Sequence, residues 1–154
     1  MLPLLPRLIH DVAELVFRRP VLGAAVVAID PEGRVVLARR RDTGTWGVPG
    51  GVMRLGEQVA ETAARELREE TGYTVREVTR LVGVYSSPQR DPRAHSVLVL
   101  LEARVEPPIA PIALDPLEVS EVRAFAPEEL PTQLAHDGAR LLADWRRGAV
   151  GVID

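Results

Sequence analysis

One stretch of the chain, Gly51–Tyr73, constrains its fold and its chemistry more than any other. It reads GVMRLGEQVAETAARELREETGY. We predict a helix from about Gln58 to Thr71 that ends at Gly72, because glycine is favoured just beyond a helix C-terminus. Three carboxylates would then share one face of its last turns, at i, i+3 and i+4: Glu66, Glu69 and Glu70. Like charges repel at this spacing and at this end of the helix dipole, so a hard cation such as Mg²⁺, Mn²⁺ or Ca²⁺ would stabilise them.

A second interpretation of the same helix is a solvated acidic face. Arg65 stands four residues after Glu61 and four before Glu69. Pairs of opposite charge at this spacing partly neutralise a helix face without any ligand. The residues that precede the helix help to separate the two interpretations.

The spacing across the whole stretch resembles a known family signature. Gly51 is followed after five residues by Glu57, and after seven more by the run Arg65-Glu66-Leu67-x-Glu69-Glu70-x-Gly72. This pattern matches the Nudix box, G-x5-E-x7-R-E-U-x-E-E-x-G-U, where U is a bulky aliphatic residue. Seven fixed identities, each at a background of about 7%, arise by chance on the order of once in 10⁸ starting points. Tyr73 replaces the final aliphatic residue, and its ring can fill the same apolar role.

The resemblance implies a Nudix hydrolase, which uses Mg²⁺ or Mn²⁺ to hydrolyse a pyrophosphate bond in a nucleoside diphosphate linked to another group. Divalent ions neutralise the pyrophosphate and activate the attacking water. The metal ligands implied position by position are the Gly51 carbonyl, Glu66, Glu69 and Glu70. Arg65 and Glu57 would hold these carboxylates in place. Direct binding of phosphate by Arg65 is the alternative.

The general base in this family is a box glutamate, such as Glu66 or Glu69, or an acid on a later loop. The later candidates here are Glu118, Glu121 and Asp115. We favour Glu118, because Glu118-Val-Ser-Glu121-Val resembles the E-x-x-E-V segment that often enters the last strand of relatives. An exposed strand face would explain both glutamates as well.

The segment Tyr85–His95 suggests a substrate. Its sequence YSSPQRDPRAH resembles the Y-S-x-P and R-D-P-R-G-H of members similar to ADP-ribose pyrophosphatase, with alanine in place of the glycine. Arg90 and Arg93 are therefore candidates to contact phosphate or ribose, and His95 to donate a hydrogen bond nearby. A turn stiffened by proline is the alternative.

Arg40 is a further candidate for binding phosphate, because the triplet Arg39–Arg41 stands just before the box. A solvated strand end is the alternative interpretation of that triplet. Two other functions also stay open: hydrolysis of a nucleoside triphosphate or oxidised nucleotide, as in MutT, and nucleotide sensing without turnover.

The composition excludes several kinds of chemistry. The chain has no cysteine, so it forms no disulfide, thiolate metal site or cysteine nucleophile. Its net charge of −3 argues against a general nucleic-acid-binding surface. We find no signal peptide and no segment long and apolar enough to span a bilayer. We therefore expect a cytoplasmic protein whose partner is a small nucleotide, with no nucleic acid and no membrane.

Apolar runs bounded by turn residues predict five strands: Val21–Asp30, Val35–Ala38, Val75–Tyr85, His95–Val105 and Leu117–Phe125. Helical periodicity predicts an N-terminal helix at Pro6–Phe17, a helical end opening at Pro127, and a C-terminal helix from Leu134 to about Arg147. We expect Trp46 to be a core residue and Gly148–Asp154 to be frayed. The resemblance implies one α/β/α Nudix sandwich with a mixed sheet over residues 1–154. Its helical extension, about 1–19, could mediate a homodimer.

Overall fold

The computed structural model describes residues 19–89, 95–110 and 117–154. The predicted helix at Pro6–Phe17 lies outside these ranges. The described elements, in chain order, are β1 (Val21–Ile29), β2 (Val35–Arg40), β3 (Trp46–Gly47), β4 (Gly50–Val52), α1 (Val59–Thr71), β5 (Thr74–Tyr85), β6 (Ser96–Glu106), β7 (Val119–Phe125), α2 (Gly138–Arg146) and β8 (Val152–Ile153). Neither of the two helices in the described ranges is long and apolar enough to cross a membrane.

A single mixed sheet joins all eight described strands. The strand order is β3-β2-β1-β6-β5-β8, and β4 and β7 pair with β1 and β2 respectively. The β1–β6 and β5–β8 pairs are parallel, whereas the other pairs are antiparallel. Strand β6 lies inside the sheet, between β1 and β5.

The sheet opens between β1 and β2. These strands pair only next to their hairpin, at Ala28–Val36 and Ile29–Val35. Further along, β4 takes the place beside β1, and β3 takes the place beside β2. We call this gap, flanked by β3 and β4, the β1–β2 opening.

Alternate residues of β1 pack against different helices. Ala25 and Val27 belong to the hydrophobic cluster that contains Leu141 and Leu142 of α2. The intervening residues of β1 belong to the cluster that contains two side chains of α1: Ala63 and Leu67. A strand with both faces buried reads as a continuous apolar run, as β1 does. The helices therefore cover opposite faces of the sheet, which is the predicted α/β/α sandwich.

Helix α1 begins and ends at the residues that its sequence predicts. The backbone N–H of Gln58 donates to the Glu61 carboxylate at 2.8 Å, in a capping box. Gly72 ends the helix in the left-handed conformation, with φ 76°, and its N–H donates to the Arg68 carbonyl. The ring of Tyr73 packs against the α1 side of the core, as expected for the last position of the box.

The prediction of a frayed C-terminus is wrong. Strand β8 pairs in parallel with β5, and the Gly151 N–H donates to the Leu81 carbonyl at 3.1 Å. The Asp154 carboxylate accepts hydrogen bonds from the backbone N–H groups of Ser86 and Ser87. Two apolar residues are too short a run to be recognised as a strand, so the sequence pattern does not reveal this pairing.

The predicted start of the C-terminal helix is also wrong, because α2 begins at Gly138. The Trp46 N–H donates to the Gln133 carbonyl, and the Ala135 N–H donates to the Trp46 carbonyl. This pairing with β3 commits the backbone around Leu134 to an extended conformation. The residues from Pro127 form a turn instead of a helical end. The core position of Trp46 is confirmed, since the residue is buried and its ring meets Phe125 edge-on.

Candidate active site

A cleft of about 720 Å³ lies at the β1–β2 opening. This volume falls within the range typical of small-molecule sites, roughly 300–1,000 Å³. Its walls combine residues of β1, β4 and α1 with the segment that leads into α2. The lining residues used below are Gly23, Gly51, Glu66, Glu70, Arg40, Asp42, Ser96, Glu118, Ala135, His136, Asp137 and Leu141.

Glycines let the α1 carboxylates enter this cleft. A Cβ atom on Gly51 would lie 2.4 Å from the Cδ atom of Glu66, so any side chain there would displace that carboxylate. A Cβ atom on Gly50 would lie 2.5 Å from that of Ala25. The Gly50 N–H donates to Oε2 of Glu70 at 3.3 Å. The close approach of β4 to both β1 and α1 therefore depends on these two glycines.

The electrostatic surroundings of Glu70 suit a bound cation. Burial, together with the neighbouring carboxylates of Glu66 and Glu118, raises the pKa of its carboxyl to about 8. The Gly50 N–H and Arg40 act in the opposite direction. Carboxylate oxygens are the preferred ligands of Mg²⁺ and Mn²⁺, so Glu66 and Glu70 fit the divalent ion that the box implies.

The predicted ligands are brought together only in part. Glu66 and Glu70 line the cleft with Gly51. Glu69 is half-exposed and instead pairs with Arg65 at 3.2 Å and Arg54 at 3.5 Å. Across the described ranges, no group of three or more acidic or histidine side chains is gathered where it could hold a metal ion. A side-chain rearrangement of Glu69 would be needed for it to join the other two.

Arg65 holds the acidic cluster together. Its Nε and Nη2 atoms donate to the two carboxylate oxygens of Glu57, at 2.6 and 3.0 Å. Its Nη1 atom donates to Glu66 at 2.6 Å and to Glu69, and Nη2 also donates to the Val52 carbonyl. Hydrogen bonds from the Arg65 guanidinium, the Arg54 N–H and the Thr62 hydroxyl lower the pKa of Glu57 to about 2. These contacts favour the holding role expected for Arg65 and Glu57 over direct phosphate binding.

The structure distinguishes between the candidates for the general base that follow the box in the sequence. Glu118 lines the cleft and acts electrostatically on Glu70. Glu121 is not among the cleft residues, and its carboxylate lies 3.4 Å from Nη1 of Arg39. The third candidate, Asp115, lies outside the described residues.

Consecutive side chains of β2 alternate between the two faces of the sheet, so Arg39 and Arg40 have different surroundings. Arg39 lies over the Trp46 ring, 5.9 Å from its centroid, and its Nε donates to the Gly44 carbonyl. Arg40 lines the cleft and forms a bidentate pair with Asp42, at 3.0 and 2.6 Å. A guanidinium therefore borders the cleft at the position that the sequence suggests for phosphate binding.

The predicted substrate loop contributes less to the described site. Arg90 and Arg93 lie outside the described residues. Nε2 of His95 lies 2.9 Å from the Ser86 carbonyl oxygen, so this side chain bridges the two ends of the loop. Its neighbour Ser96 lines the cleft, whereas His95 is not among the lining residues.

Sequence reasoning misses the wall that precedes α2. His136 and Asp137 line the cleft, and Asp42 borders it beside Arg40. The wall is positioned by the pairing of β3 with Gln133 and Ala135. No local sequence pattern predicts that pairing, so the sequence does not indicate that His136 and Asp137 reach the cleft.

Comparison with known proteins agrees with this geometry. The NUDIX domain family matches residues 19–145. An ADP-ribose pyrophosphatase of Methanocaldococcus jannaschii is 34% identical over 122 residues, which cover 77% of this chain and 69% of that protein. A MutT-like protein of Streptomyces ambofaciens is 35% identical over 128 residues, covering 83% and 78%. The crystal structure of a MutT NUDIX hydrolase from Burkholderia pseudomallei superposes with a TM-score of 0.70, at 25% identity, over 82% of this chain and 98% of that one.

Glu66 and Glu70 of α1 line a cleft in a mixed sheet, and residues 19–145 match the family model. We conclude that this protein is a member of the Nudix hydrolase family.

Proposed function

We propose that this Nudix enzyme hydrolyses ADP-ribose or a related nucleoside diphosphate sugar, with Mg²⁺ or Mn²⁺ as cofactor. The observation that carries the proposal is the convergence of Glu66 and Glu70 with Gly51 on one cleft. The similarity to an ADP-ribose pyrophosphatase over 77% of the chain supports this substrate class.

In this proposal, the divalent ion is held by Glu66, Glu70 and the carbonyl of Gly51. A Cβ atom on Gly23 would lie 3.0 Å from that carbonyl oxygen, so glycine at this position avoids crowding it. When bound, the ion neutralises charge on the pyrophosphate oxygens and activates water. Arg65 orients Glu66, and Glu69 is a further candidate ligand. Arg40 contacts a phosphate, Arg90 and Arg93 contact phosphate or ribose, and His95 forms a hydrogen bond nearby.

The alternative is hydrolysis of a nucleoside triphosphate to the monophosphate and pyrophosphate. It is favoured by the 35% identity to a MutT-like protein over 83% of the chain. The same acidic cluster would serve either reaction, because both cleave a phosphoric anhydride. The two proposals differ in what the rest of the cleft must accommodate.

A substrate panel tests the proposal. The purified protein is incubated with ADP-ribose, a UDP-sugar, a dinucleoside polyphosphate or each nucleoside triphosphate, with Mg²⁺ or Mn²⁺, and its products are separated by chromatography. We expect ADP-ribose to give AMP and ribose 5-phosphate with the highest kcat/KM. A higher kcat/KM for a triphosphate would establish the alternative.

We further propose that Glu118 is the general base. It shares the cleft with Glu70, whereas Glu121 is paired with Arg39 away from it. General-base catalysis contributes roughly 10²–10⁴-fold. Glu118→Gln should therefore lower kcat by about that factor, and the matched variant Glu121→Gln should keep kcat within about twofold. Equal activity of the two variants would exclude Glu118 and return the role to a box glutamate.

A further inference from the structure

His136 has an unusual backbone conformation. Its φ of 46° makes it the only non-glycine residue with positive φ in the part of the chain that the structure describes. The residues on either side are fixed, since the Ala135 N–H donates to Trp46 at 2.7 Å and the Gly138 N–H donates to Ala135 at 2.9 Å. Histidine is among the residue types found more often in this region, yet the conformation still costs free energy relative to glycine.

The side chain at this turn also differs chemically from its surroundings. Of the described residues that line the cleft, His136 alone carries an aromatic ring. Its neighbours in the wall are the aliphatic Ala135 and Leu141 and the acidic Asp137. Elsewhere the cleft is lined by the carboxylates of Glu66 and Glu70. A flat heteroaromatic group entering the cleft would therefore find one ring to stack on, and that ring belongs to the strained turn.

We propose that His136 contacts the nucleobase of the substrate, stacking on it and selecting nucleotides over base-free phosphate esters. This inference deepens the proposed function, because it assigns one wall of the same cleft to the base. Arg40 and an ion held by Glu66 and Glu70 would take the phosphates, which leaves the wall before α2, aliphatic apart from His136 and Asp137, for the planar base. Stacking of a base on an aromatic side chain contributes roughly 1–3 kcal/mol, or about 5- to 150-fold in affinity.

Two ligands isolate the base contribution. AMP carries the base, ribose 5-phosphate does not, and both end in a single phosphate group. Their dissociation constants are measured by isothermal titration calorimetry with Mg²⁺ present, which requires no turnover. GMP and UMP are titrated as well, so that the base bound most tightly is used for the comparison.

Two substitutions separate the ring from the backbone. His136→Asn removes the ring but keeps a residue that tolerates positive φ. His136→Phe keeps a stacking surface and serves as the conservative variant. We expect His136→Asn to weaken binding of the nucleotide about tenfold and leave ribose 5-phosphate within twofold, while His136→Phe retains most of the affinity. Equal losses for both ligands, no loss for the nucleotide, or no preference of the wild type for the nucleotide would each overturn the proposal.

His136→Gly gives a second readout that does not depend on stacking geometry. Glycine adopts positive φ without steric cost, so this variant should melt at the same or a higher temperature than the wild type. Its KM for the nucleotide substrate should rise about tenfold with kcat within twofold, as expected for a contact made equally in ground and transition states. A lower melting temperature with unchanged KM would indicate a structural role and overturn the proposal. If ADP-ribose is not hydrolysed but AMP still binds through His136, the proposed function fails and this inference stands.

Discussion

Arg65 donates to three carboxylates and to one backbone carbonyl, and only 11% of its side chain is exposed. The planar guanidinium donates two hydrogen bonds to Glu57 and a third to Glu66. A lysine ammonium offers a single point charge and cannot reproduce this fork. The orientation of Glu66 toward the cleft therefore depends on the shape of Arg65 as well as its charge.

We predict that Arg65→Lys weakens Mg²⁺ binding by about 10- to 100-fold, the usual effect of losing a partner that orients a ligand. The measurement is the Mg²⁺ concentration that gives half-maximal activity. Arg54→Lys is the control, because Arg54 is exposed and meets Glu69 only at 3.5 Å. The same Mg²⁺ requirement in both variants would contradict the role assigned to Arg65.

At the scale of elements, the junction of β4 with β1 and α1 leaves no room for side chains. We predict that Gly50→Ala destabilises the protein by about 1–3 kcal/mol, since its Cβ atom would clash with Ala25 and with the Ala24 carbonyl. Gly47→Ala is the matched control in β3, where the nearest atom to an added Cβ is 3.7 Å away. Its free energy of unfolding should stay within about 0.5 kcal/mol of the wild type. Equal urea midpoints for the two variants would refute this account of the junction.

Strand β8 gives a second prediction at this scale. The Asp154 side chain accepts hydrogen bonds from Ser86 and Ser87 and pairs with Arg140 at 2.8 Å. Asp154→Ala should lower the free energy of unfolding by about 1–2 kcal/mol, because hydrogen bonds to a charged group are lost. It should also speed hydrogen exchange at the amides of Ser86 and Ser87. Glu128→Ala, in an exposed turn, is the control, and unchanged exchange in Asp154→Ala would mean that β8 does not anchor this segment.

At the scale of the whole molecule, the proposed ion joins α1 to β4. Ligand binding to the folded state stabilises it by about 2.7 kcal/mol at 100 times the dissociation constant. We therefore predict that saturating Mg²⁺ raises the melting temperature of the wild type by about 5–10 °C. Glu70→Gln should keep a native circular dichroism spectrum, lose turnover and lose most of this rise. Full Mg²⁺-dependent activity in Glu70→Gln would refute the assignment of Glu70 as a ligand.

The sequence predicts local structure well where a signal is local. The bounds of α1 follow from its capping residues and Gly72, and the strands of the central sheet follow from apolar runs. Strands β3, β4 and β8 are only two or three residues long and are defined by their pairing with strands elsewhere in the chain. No apolar run is long enough to predict them. The same reason explains why the box glutamates could be predicted, whereas the wall at His136 could not.

The β1–β2 opening has a consequence for how such a protein can change over time. The proposed metal ligands Glu66 and Glu70 belong to α1, whereas another part of the cleft wall belongs to the segment before α2, the helix on the other face of the sheet. Substitutions in the segment before α2 can therefore alter which molecule is accepted while the hydrolytic chemistry is inherited intact.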